Sequence, residues 1–93
     1  MIGSDRMTMQ FITQYIEDKI NENENFIRYT FYELRIKNNL DEEEIQQFLE
    51  INKNYFENKN YKVYFTGQKF LCENRNLIVK PNELMIAVKQ SSK

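Results

Sequence analysis

Ninety-three residues with 41% hydrophobic and 14% aromatic side chains describe one folded domain, not a disordered tail, and the formal net charge is only −1. No apolar run approaches the roughly 18 residues of a membrane-spanning helix, so no membrane partner is expected. The single Cys72 offers no internal disulfide, in keeping with a reducing cytoplasm. The chain has no histidine and two glycines, Gly3 and Gly67, which removes the usual proton shuttle, the common zinc spacings and the glycine-rich phosphate loops. Neither catalysis nor a cofactor nor a metal is expected.

The chain holds twelve asparagines, ten isoleucines and nine lysines but one alanine, which points to AT-rich coding of the kind found in low-GC bacteria, phages and plasmids. The leader Met1-Ile2-Gly3-Ser4-Asp5-Arg6 reads as a cloning scar. Residues 1–8 are therefore set apart as a disordered start, and one domain is expected over 9–90, followed by a frayed Ser91-Ser92-Lys93. Met9, Ile12, Ile16 and Ile20 recur at three- and four-residue spacing and predict an amphipathic helix over 9–22, broken by Asn21, Asn23 and Asn25. Phe26-Ile27-Arg28-Tyr29 predicts a short strand. Thr30 with Glu33 forms a capping-box pattern that opens a short helix over about 31–38, the alternative being one strand continued through Ile36.

Asp41-Glu42-Glu43-Glu44 is a second capping box and opens a helix to about Asn58, buried through Ile45, Phe48, Leu49, Asn52 and Phe56. Only Asn39-Leu40 joins the two helices, and asparagine tolerates the left-handed backbone such a turn needs. From Tyr61 the period changes to two. Residues 61–72 and 77–88 predict a long hairpin with its tip at 73–76, kinked where Gly67 lies nearly opposite Pro81.

Residues 30–61 resemble the helix-turn-helix segment of winged-helix DNA-binding domains: Thr30 with Glu33-Leu34 opens the first helix, Asn39 takes the usual turn glycine's place, and Asp41 caps the second, where Ile45 and Leu49 are buried. Asn60-Tyr61-Lys62-Val63 resembles the step into the wing. The resemblance implies an α+β winged helix-turn-helix with three helices, a short strand and a C-terminal hairpin wing. Arg35 and Asn38 depart from the small and apolar residues usual at those positions. In architecture and composition the chain is also similar to accessory relaxosome proteins of clostridial conjugative plasmids.

Charge divides the chain. Residues 1–58 carry twelve acids and six bases, a net of −6, whereas residues 59–93 carry seven bases and two acids, a net of +5. The helix that would usually enter a major groove exposes Glu42, Glu43, Glu50 and Glu57, which phosphates repel. The hairpin is accordingly the expected contact with double-stranded DNA, through Lys62, Gln68, Lys69, Asn74, Arg75, Asn76 and Lys80. Gln46, Gln47 and Lys53 are secondary candidates, and a homodimer is expected on repeated half-sites. Lys62, Lys69 and Lys80 also suit an ordinary role as edge-strand guards against aggregation, and Tyr64 and Phe70 can either stack on bases or pack on the core. The alternative function is a protein-interaction module that uses the acidic helix 41–58 and the hairpin edge.

Overall fold

A computed structural model of the chain describes residues 8–90; the leader up to Met7 and the expected frayed tail 91–93 lie outside the described residues. Thr8, set apart with the leader on sequence grounds, belongs to the domain: its hydroxyl accepts from the Phe11 amide at 3.1 Å and caps helix α1, Met9–Glu22. Ile12 and Ile16 are the buried positions of α1. Strand β1, Phe26–Thr30, follows and alternates, with Ile27 and Tyr29 buried among the helices.

The chain leaves the sheet at Thr30, so the longer-strand alternative is ruled out. It enters a π-helical segment, Tyr32–Lys37, a wider coil than the α-helix expected over about 31–38. The Asn38 amide reaches the Glu33 carbonyl at 3.1 Å, and the Asn38 side chain donates to the same carbonyl at 2.8 Å. Only half of the first capping box forms. Thr30 accepts from the Glu33 amide at 3.1 Å, but the Glu33 carboxylate turns away, accepting from the Tyr15 hydroxyl and pairing with Lys19 Nζ at 2.8 Å. A long-range pair of partners outcompetes the local one.

Asn39 has φ 56°, the left-handed conformation its residue type tolerates, and Leu40 behind it is buried. Helix α2, Glu42–Asn58, opens on a complete capping box: Asp41 accepts from the Glu44 amide at 2.8 Å and Glu44 accepts from the Asp41 amide at 2.9 Å. Its buried positions are Ile45, Phe48, Asn52 and Phe56, with Leu49 half-buried.

Four strands complete the fold: β2, Tyr61–Phe65; β3, Lys69–Cys72; β4, Arg75–Ile78; and β5, Glu83–Lys89. β5 lies between β1 and β2 in an antiparallel three-stranded sheet, and among the described residues β3 pairs with β4 alone. The architecture is therefore α+β, with helices on one face of an antiparallel sheet. Met85 and Ala87 of β5 join the helical core, while Ile86 and Val88 on its other face join Phe70 and Val79 in a second cluster. Burial on both faces explains the uninterrupted apolar run Leu84–Val88. Among the described residues, no helix is long and apolar enough to cross a membrane.

Candidate nucleic-acid interface

The expected long hairpin is two hairpins in series with a kink between them. The base registers Phe65 with Met85 and the tip registers Lys69 with Ile78. Three residues separate these pairs on one arm and six on the other, so the return arm carries a surplus that must loop out. On the short arm, Phe65–Gln68 is a turn with Gly67 at φ 87°, closed by the Gln68 amide on the Phe65 carbonyl at 2.9 Å. On the long arm, Lys80–Glu83 is a turn around Pro81, closed by the Glu83 amide on the Lys80 carbonyl at 2.9 Å. Gly67 and Pro81 thus both serve the kink, as their near-opposition suggests.

Glu83 holds this kink together. Its carboxylate accepts from the Lys80 amide at 3.0 Å and pairs with Arg28 Nε at 3.1 Å. Its carbonyl accepts from the Thr66 hydroxyl, which ties one turn to the other. The Glu83 side chain is nearly enclosed, whereas that of Arg28 is 52% exposed and lies over the Phe26 ring.

The tip is tighter than expected. Glu73 and Asn74, at φ 52° and 65°, form a two-residue turn, and Arg75 and Asn76 belong to β4. Two successive positive φ values mark the turn type that matches the right-handed twist of paired strands. Phe70 is buried and stacks on Tyr64 with ring centroids 4.8 Å apart. Both aromatics are therefore spent on packing the hairpin against the sheet and do not form a base-stacking platform.

The candidate residues fall on different surfaces. Lys69 and Asn76 lie on the face of β3–β4 that points away from the sheet, Arg75 lies on the opposite face beside the tip, and Asn74 forms the turn itself. Lys80 is exposed at the kink. Gln68 is partly committed, because its side-chain oxygen accepts from the Phe65 amide at 2.7 Å. Lys62 sits apart on β2, registered with Val88 near the far end of the three-stranded sheet. None of Lys62, Lys69, Arg75 and Lys80 has an ion-pair partner among the described residues.

On the helices, Gln46 and Gln47 are exposed. Lys53 is half-buried and pairs with Glu57 at 3.2 Å, so its charge is locally offset. Glu42, Glu43 and Glu50 remain exposed on the same helix. Electrostatically, α2 is an acidic rod and the hairpin a basic ribbon.

Sequence reasoning missed two groups. Arg28 and Lys89 line a groove of about 910 Å³ between the inward face of β3–β4 and the sheet, together with Phe26, Phe70, Arg75 and Lys80. Only the fold brings residues 28 and 89 to that groove. Leu71 and Ile78 stand exposed on the outward face of β3–β4. The signal for Leu71 was hidden in the continuous apolar run Phe70-Leu71-Cys72, where the phase of alternation is unreadable.

Among the described residues, no group of His, Cys, Asp and Glu side chains could hold a metal ion. A scan of the chain against protein-family models finds no match, and no curated protein or solved structure compared with it matches either.

Proposed function

We propose that this chain is a winged helix-turn-helix DNA-binding protein of a plasmid, phage or other mobile element, acting in the cytoplasm as a conjugation accessory factor or small regulator. In this reading the π-helical segment and α2 form the helix-turn-helix, β3–β4 is the wing, and the wing makes the principal contact with duplex DNA. The observation that carries the reading is the separation of charge: Lys69 and Arg75 on β3–β4 and Lys80 at the kink have no ion-pair partner among the described residues, while α2 exposes Glu42, Glu43 and Glu50. A ribbon of two strands fits a major groove about 12 Å wide. An acidic helix pressed between phosphate chains is repelled. The molecule needs no catalytic group or cofactor for this task, and a homodimer would place two wings on repeated half-sites.

A second reading has its own support. The exposed carboxylates of α2 and the open edges of β3–β4 suit a protein-interaction module that engages a basic partner. Fluorescence anisotropy of a labelled random-sequence duplex, titrated with the protein at low and at moderate salt, separates the two. Wing-led DNA binding predicts saturable binding that weakens steeply as salt rises. No binding at low salt would reject the DNA reading in favour of the interaction module.

A further inference from the structure

The two faces of the β3–β4 hairpin are unlike, and the outward one carries more than charge. Cross-strand register places Phe70 with Leu77 and Cys72 with Arg75 on the inward face, and Lys69 with Ile78 and Leu71 with Asn76 on the outward face. Phe70 and Leu77 join the second apolar cluster and already anchor the hairpin. Leu71 and Ile78, by contrast, are 64% and 49% exposed. They are diagonal neighbours, with Lys69 and Asn76 on the other diagonal of the same four-residue square. A shallow depression of about 590 Å³ runs along this hairpin.

Resting on the DNA-binding reading above, we propose that this outward square is the base-reading surface and that it recognises A·T pairs in the major groove. Leu71 and Ile78 meet the 5-methyl groups of thymine, Asn76 bonds the N6 and N7 edge of adenine, and Lys69 holds an adjacent phosphate. Thymine methyl is the apolar group that a base pair offers in the major groove, and asparagine is geometrically matched to adenine there. The minor groove of an A·T pair shows acceptors alone and gives two aliphatic side chains nothing to match. Strands about 4.8 Å apart fit within that groove with side chains reaching its floor. Arg75, on the inward face beside the tip, is left for the sugar-phosphate strand.

The test begins with selection of a bound site from a short randomised duplex pool. The selected duplex is then resynthesised with deoxyuridine in place of thymidine, which removes the methyl groups and nothing else. The proposal predicts enrichment of A·T pairs in the site and about a fourfold loss of affinity for each contacted methyl. The doubly substituted Leu71→Ala, Ile78→Ala protein, checked for native fold by circular dichroism, should bind the thymidine duplex weakly and no longer distinguish it from the deoxyuridine duplex. Equal wild-type affinity for the two duplexes overturns the proposal while leaving DNA binding by the wing in place. Loss of self-association in the double variant, without any thymidine preference in the wild type, assigns the patch to a second copy and also overturns it. Failure of the wild type to bind any duplex rejects the DNA reading itself.

Discussion

Replacing Glu83 sets geometry against charge counting. The carboxylate bonds the Lys80 amide at 3.0 Å and Arg28 Nε at 3.1 Å, and both bonds hold the kink that positions the hairpin. Losing the bond to the Lys80 amide costs about 1–1.5 kcal/mol. The Arg28 pair adds less, about 0.5–1 kcal/mol, because Arg28 is 52% exposed and rehydrates when released. Glu83→Ala should therefore destabilise the fold by about 2 kcal/mol. Glu83→Gln keeps an acceptor for the amide and should cost under about 1 kcal/mol. Both substitutions remove a negative charge beside the basic ribbon, so net charge alone predicts tighter DNA binding from either. If the hairpin binds DNA as proposed, the alanine variant should bind more weakly, because the kink loosens and the ribbon loses its fixed presentation. Urea unfolding measures the first quantity and duplex titration at matched salt the second. An alanine variant as stable as the wild type, or one that binds DNA more tightly in step with the glutamine variant, would refute the reasoning.

Asp41→Ala removes one side of the complete capping box and should lower stability by about 1 kcal/mol in urea unfolding, with DNA binding unchanged if, as proposed, the hairpin and not α2 is the principal contact. The pH dependence follows from three tyrosines. Burial, followed by the hydrogen bond to Glu33, raises the Tyr15 hydroxyl above the ordinary range; burial, followed by the charge of Tyr15, raises Tyr29; and burial, followed by the charge of Glu24, raises Tyr61. The unfolded chain releases these protons near pH 10 while the folded protein still holds them, so their contribution is intact below about pH 10 and is lost above it. The urea midpoint should fall as pH rises past that value, and a midpoint constant across that range would contradict the assignment.

Local chemistry was the legible part of this sequence. The periodicity of Ile12 and Ile16, the Asp41–Glu44 capping box and the left-handed Asn39 all rest on neighbours within one or two turns, and each is found as the residues predict. Legibility failed where a distant partner decides. Glu33 has the right spacing to return to Thr30, yet Lys19 and Tyr15 from another helix claim its carboxylate. The hairpin was visible from its alternation and the kink from Gly67 and Pro81, but the register was not. Three surplus residues around Pro81 displace the tip turn to Glu73-Asn74 and move Arg75 and Asn76 into strand β4 on opposite faces. A list of basic and amide residues along 62–80 therefore described one surface where the fold has several, and it left out Leu71 and Ile78. Exposure of an aliphatic side chain on a ribbon becomes readable only once the cross-strand pairs are known.

In the proposed function the hairpin, and not helix α2, makes the principal contact with DNA. Paired charge reversals test it directly because they change net charge equally on two different surfaces. Lys69→Glu with Arg75→Glu reverses two hairpin cations that have no ion-pair partner among the described residues, while Lys37→Glu with Lys53→Glu reverses two on the helices, Lys53 being paired with Glu57. With both proteins shown to be folded and titrated against the same duplex at the same salt, the hairpin pair should abolish binding and the helix pair should weaken it only slightly. Equal losses from the two pairs, or a greater loss from the helix pair, would contradict the account.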